Sequence, residues 1–476
     1  MDERPASCDL LLTGGHVVTV DDDRRILDPG AVAIEGNRIV AVGTPEEVRR
    51  RLEARRTVDC TGRAVIPGFT DCHTHMFQTL GRGLGDGFAL WPWLCEFMWP
   101  YALTINVEEA RVAATLAAIQ AARSGTTAVV DNHYAPNDVE GTLAVASAID
   151  QVGIRAAVAR GIVGPLTEVA RRMELTPGLF RRSDEEEIDI TIGCLEARPQ
   201  GGRVVVWPAP LNVIYVNQGL FARSIELARE HRTGWHTHCS EGDIDPKIYL
   251  EVYGIRPVDW LYEEGLLGRD ATLAHSIWLD EREIQRIGET ASGASYNPVS
   301  NQYIGCGVLP LRELRSAGAV VGLGTDGTAV TGRDMFEVMK ASALLQRAST
   351  EDPTASDAHE SLEMATREGA RYMGTDAGAI AEGKLADVVV VNLDAPHLRP
   401  VHQVVPTLVY LAQGSDVVMT IVDGRVVYED GRCTFVDQDE VMAEAQARGE
   451  ELTTRASAIG LRLPRTWEEV RKGAGR

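Results

Sequence analysis

Eight cysteines are scattered singly through 476 residues, and no two of them form a Cys-x-x-Cys pair. In so long a chain this is not a disulfide framework, and the expected setting is a reducing cytoplasm. Basic residues are also scarce. The 47 Lys and Arg against 69 Asp and Glu leave a net charge of −22 and a pI near 5.0. Nucleic acid and anionic membranes need a basic patch, so neither is expected as the main partner. No apolar run approaches the roughly 20 residues that span a bilayer. Met1-Asp2-Glu3-Arg4 lacks the basic and apolar regions of a secretion signal. These absences leave a protein that handles a small molecule. A homodimer or larger homo-oligomer is its expected assembly.

The pattern of residues gives the architecture. Short β-rich runs at 10–12, 17–20, 31–34 and 38–42 precede an exposed helix over 45–56. From about residue 64, strands alternate with helices. Strands near 126–131, 154–160, 204–207, 234–238, 271–275, 293–297 and 319–326 are separated by helices at 107–123, 139–151, 184–198, 219–231, 246–266, 280–291 and 308–317. A long helix after Asp326 makes the eighth unit, and eight such units predict an α/β fold with a closed (β/α)₈ TIM-like barrel. The chain then returns to strands at 385–391 and 417–427. These match the N-terminal ones in style, so the two ends are expected to build a small β-sandwich. The expected divisions are 1–66 and 381–437 for the sandwich halves, 67–380 for the barrel and 438–476 for a polar helical tail.

Catalytic groups of such a barrel sit at the C-terminal ends of several strands. The first strand ends Asp71-Cys72-His73-Thr74-His75, and residues two apart on a strand face one way. The fifth ends His236-Thr237-His238-Cys239-Ser240-Glu241, the sixth Ala274-His275, and the eighth Gly324-Thr325-Asp326. One buried histidine is usually a core residue, but this many His and Asp at matching strand ends point to a metal. Imidazole and carboxylate donors suit one divalent ion, Zn²⁺ first and Fe²⁺ second, held by His73, His75, His238 and Asp326. His236 shares the parity of His238 and stands as an alternative ligand. Glu241 is placed to shuttle a proton between a water and the substrate, and His275 to orient the water or polarise the substrate.

Together these residues resemble the amidohydrolase superfamily, in its branch of mononuclear-metal aminohydrolases, which includes guanine, 8-oxoguanine and S-adenosylhomocysteine deaminases and triazine hydrolases. The resemblance covers nearly the whole chain and rests on Pro67–His75, His236–Glu241, Ala274-His275, Asn297-Pro298-Val299-Ser300-Asn301, Gly324–Gly327 and Glu382–Asp387. It implies hydrolytic deamination of an aminated N-heterocycle, with Glu241 as general acid/base and His275 and Asp326 assisting. Binuclear branches need a lysine at a mid-barrel strand end. The fourth strand, Val204–Pro210, has none, so one metal is expected.

Gln78 resembles the base-contacting glutamine of guanine-type deaminases, although a loop-stabilising role is the plain alternative. Trp91, Trp93 and Trp99 suggest a lid or a rim contact. Trp93, Tyr296, Asn297 and Asn301 complete the expected substrate contacts. Ala102 stands where adenosine-derivative enzymes carry a ribose-reading Glu, which places guanine-, 8-oxoguanine- or pterin-like bases first. Two alternatives remain in the enzyme class: a triazine-type hydrolase releasing chloride or an amine, and an adenosine-derivative deaminase. Outside it stands a non-catalytic scaffold. The loop Thr328–Arg333 departs from the family, with Arg333 either on the surface or meeting a substrate anion.

Overall fold

The computed structural model describes residues 6–329, 332–467 and 469. Met1–Arg4, Val330 and Thr331 of the loop after Asp326, and the last part of the tail lie outside them. The first strand, Ala6–Val18, joins two runs that read as separate strands. Register shifts around Gly15 bend it without ending it, so the glycines there act as a bulge and not a turn. It pairs with Ile26–Glu35, which pairs with Arg38–Gly43. The helix expected over 45–56 stops at Arg51, and Leu52–Asp59 is a strand parallel to Ala6–Val18. Ladder bonding and the half-burial of Leu52, Ala54 and Val58 on one side override the helical preference of its Glu and Arg.

Arg63–Pro67, which reads as the start of the first barrel strand, instead belongs to the flanking sheet. There it pairs antiparallel with Val388–Asn392. Val417–Val422, Arg425–Glu429 and Arg432–Cys433 continue the order, so both chain ends share one nine-stranded sheet. Leu12, Ile34, Val65, Val388 and Ile421 pack in one apolar cluster drawn from both ends. Gly68 marks the crossing into the barrel. A Cβ there would lie 2.2 Å from the Thr127 side chain, which only glycine avoids.

The barrel strands are Phe69–His75, Thr126–His133, Arg155–Ile162, Val204–Pro210, Trp235–Cys239, Ala271–His275, Gly293–Tyr296 and an interrupted eighth, Val320–Leu323 with Asp326–Gly327. All of their pairings are parallel. The second part of strand eight pairs with strand one, Asp326 opposite Thr74. The first part pairs with strand seven. An Asn212–His238 bridge joins the two remaining edges. Gly324 permits the interruption, because a Cβ there would meet Asn297 Oδ1 at 2.3 Å and the His73 carbonyl at 2.9 Å.

A helix follows each strand. Val107–Arg123 is typical: Asn106 and Glu109 form a capping box, and alanines bury its inner face. The helix expected over 246–266 is two, Asp245–Tyr253 and Pro257–Glu263. Gly254 takes φ 73°, closing the first, and Pro257 opens the second. Gln438–Ala458 is not a solvated tail. Leu452 and Ala456 are buried, and Arg455 Nη2 meets Glu109 Oε1 at 2.6 Å, which docks it on the first barrel helix.

Candidate active site

Four side chains from three elements converge. His73 Nε2 and His75 Nε2 lie 3.2 and 3.3 Å from Asp326 Oδ1, and His238 Nε2 lies 3.3 Å from His75 Nε2. The alternation of strand one turns both of its histidines inward. The left-handed backbone of Asp326, φ 63°, turns its carboxylate onto them. His275 and Ser276 at the end of strand six, and Ser240 before Glu241, also take positive φ. Such conformations are strained and cluster where a site over-determines them.

The buried imidazoles of His73 and His238 are neutral. Burial pushes His73 down to about 3 and His238 well below its ordinary value. His75 Nδ1 lies 2.7 Å from the Asn132 carbonyl and His238 Nδ1 2.7 Å from that of Leu211. A carbonyl only accepts, so each Nδ1 carries the proton and each Nε2 presents a lone pair. His73 Nε2 is buried and makes no hydrogen bond. Lone pairs and a carboxylate facing one another this closely repel unless a cation lies among them, so the donor set fits a divalent metal.

His236 is not a ligand. Both of its ring nitrogens are engaged, by His73 and Thr272, and it lies behind His73. Equal parity turns it inward too, but two residues along a strand is about 6.6 Å, one layer deeper in the barrel.

Glu241 is buried beside this centre, its Oε2 3.5 Å from His275 Nε2. Burial and then the Asp326 charge raise its pKa well above the ordinary value. Asn297 and Asn301 do not line the cavity; each places an amide atom 3.3 Å from His275 Nδ1 and holds that ring. Gln78 donates to the Tyr134 hydroxyl at 3.1 Å and sits behind it, outside the lining. Tyr296 faces away and accepts from Gln346 Nε2 at 3.3 Å.

A cavity open to solvent lies above the centre. Trp93 and Trp99 wall it and Trp91 does not; Tyr134, Asn212 and Tyr215 are also in its lining. The last three were not singled out from sequence. Their signal was position alone, since each lies just past the end of strand two or four.

Arg333 is neither a surface residue nor a substrate contact. It is 1% exposed, and its guanidinium meets Asp71 Oδ2 at 3.0 Å and Thr74 Oγ1. Asp71 also accepts from the amides of Thr325 and His73, at 3.0 and 3.4 Å, tying together the strand ends that carry Asp326 and His73. Arg333→Met strands the buried Asp71 carboxylate. It is expected to cost about 3–5 kcal/mol, read as a lower urea midpoint.

Fold and site together define a metal-dependent hydrolase that acts on carbon–nitrogen bonds of cyclic amidines. The chain belongs to the amidohydrolase family, whose profile matches residues 64–427. A shorter match, to an imidazolonepropionase-like composite domain of bacteria, covers residues 30–52. The chain is 33% identical to a 5′-deoxyadenosine deaminase of Methanosarcina mazei, over 94% of this chain and 100% of that one. It is 36% identical to a 5-methylthioadenosine/S-adenosylhomocysteine deaminase of Syntrophobacter fumaroxidans, over 91% and 96%. Among solved structures, an adenosine deaminase from Xanthomonas campestris with bound zinc superposes with a TM-score of 0.87 at 30% identity, covering 95% of this chain and 100% of that one. These relatives support deamination of an adenosine-like compound. They do not support the guanine- or pterin-like base that the sequence placed first.

Proposed function

We propose that the protein is a zinc-dependent deaminase of a 6-aminopurine nucleoside of the 5′-deoxyadenosine class. The observation that carries this reading is the convergence of His73, His75, His238 and Asp326 beneath one cavity, with Glu241 and His275 alongside. An ion held by those four residues supplies Lewis acidity and lowers the pKa of a water. Glu241 takes a proton from the water as its oxygen adds to the ring carbon bearing the amine, and passes it to the adjacent ring nitrogen. Its raised pKa suits both halves of that transfer. His275, fixed by the two asparagines, orients the water. Asp326 helps deliver the second proton to the amine, ammonia departs, and the amidine becomes a lactam.

A second cavity supports a nucleoside in preference to a base. It has a volume of about 180 Å³, shares Tyr134 and Leu211 with the first, and is lined by Asn137, Asp138 and Arg182. The base can sit at the centre while the sugar and its 5′ substituent extend there. A free base is favoured by one observation, the lack of a carboxylate at Ala102, which lines that second cavity.

The test is ammonia release from 5′-deoxyadenosine, methylthioadenosine, S-adenosylhomocysteine, adenosine, guanine, 8-oxoguanine, a pterin and a chlorotriazine. The 5′-modified adenosines are expected to lead the free bases by roughly tenfold or more in kcat/KM. Guanine or 8-oxoguanine in first place would overturn the nucleoside reading.

A further inference from the structure

The three histidines of the centre do not all owe their orientation to the same kind of group. His75 and His238 are fixed by main-chain carbonyls, which no side-chain change removes. His73 has only a side chain behind it: its Nδ1 lies 2.8 Å from His236 Nε2. Between two imidazoles either ring can donate, so this contact alone does not say which nitrogen of His73 holds the proton.

The next contacts decide it. His236 Nδ1 lies 2.8 Å from Thr272 Oγ1, and Thr272 Oγ1 lies 2.6 Å from the Trp235 carbonyl. The carbonyl cannot donate, so the single hydroxyl proton of Thr272 is spent on it. Thr272 Oγ1 must then accept from His236, which places a proton on His236 Nδ1. A neutral His236 has a lone pair at Nε2, and His73 Nδ1–H donates to it. That leaves His73 Nε2 unprotonated and facing Asp326 Oδ1, as a metal ligand requires. The Tyr372 hydroxyl lies 3.5 Å from His236 Nδ1, a longer contact than the 2.8 Å to Thr272 Oγ1.

We propose that Thr272 and His236 are positioning residues that lock His73 in its metal-binding tautomer, through a relay that begins at the Trp235 carbonyl. The proposal rests on the reading of the centre as a metal site. It makes Thr272, a residue of the sixth strand with no contact to the ion, a determinant of metal affinity.

The experiment measures zinc dissociation constants by chelator competition for wild type, Thr272→Val, Thr272→Ser, His236→Leu and His236→Gln. It also records the melting temperature of each metal-free protein. Thr272→Val and His236→Leu are expected to weaken zinc binding about 10- to 100-fold. Thr272→Ser keeps the hydroxyl, and His236→Gln offers His73 an amide oxygen, so both are expected to recover most of the affinity. Wild-type affinity in Thr272→Val and His236→Leu would overturn the relay. So would losses matched by equal drops in metal-free melting temperature, which mark a packing role. A long-range ¹H–¹⁵N spectrum of the metal-free wild type tests the tautomer without any variant. It is expected to show His73 protonated at Nδ1, and protonation at Nε2 would overturn the proposal. A wild type that binds no zinc while His73 is protonated at Nδ1 would overturn the metal reading and keep the tautomer assignment.

Discussion

Glu241→Gln is expected to keep its metal and lose about 10²- to 10⁴-fold in kcat, the usual contribution of a positioned acid/base. The amide has the same shape and leaves His73, His75, His238 and Asp326 untouched, but it cannot carry a proton from water to ring nitrogen. Because the carboxyl is buried against His275 and raised in pKa by burial and by Asp326, no bulk water substitutes for it. KM should change little, since the loss falls on an interaction made during the reaction. Metal content by atomic spectroscopy and steady-state kinetics check the two halves. Retained turnover would remove Glu241 from its role.

Stripping the ion with a chelator is expected to abolish turnover and to make the protein acid-labile. The sign follows from His73, whose pKa falls from 6.5 to about 3 in the folded, metal-free chain. Between those values the unfolded chain binds the proton and the folded one does not. Stability is therefore retained above about pH 6.5 and lost progressively as the pH falls toward 3. Protons also compete with the metal for the same imidazoles, so zinc affinity should fall over the acidic range. Thermal melts of loaded and stripped protein across pH provide the measurement. A stripped protein as acid-stable as the loaded one would contradict the site.

The parts of this site legible in the sequence are those that depend on strand periodicity. His73 and His75 face one way because they are two apart, and His238, His275 and Asp326 stand out because barrel strands end on one face. Periodicity does not encode depth, or which side chain the fold brings alongside. His236 has the right parity but the wrong depth. Gln78 falls one shell back because Tyr134 stands between it and the cavity. Arg333 reads as a surface cation, and only the fold brings Asp71 beneath it. The flanking strands followed the same logic, since Leu52–Asp59 carries helical residues into an edge whose ladder decides the conformation.

The crossing at Gly68 has a consequence for how the enzyme is made. The segment that carries His73 and His75 is anchored through Arg63–Pro67, and the partner of that strand, Val388–Asn392, is synthesised late. A growing chain can assemble several barrel units before that partner leaves the ribosome, but the sheet edge along Arg63–Pro67 stays open until then. Open edges invite pairing with other chains. Translation arrested before Val388 would leave a polypeptide with every metal-binding residue present and the first strand's anchor missing. The catalytic centre is thus encoded upstream of the segment that completes its foundation.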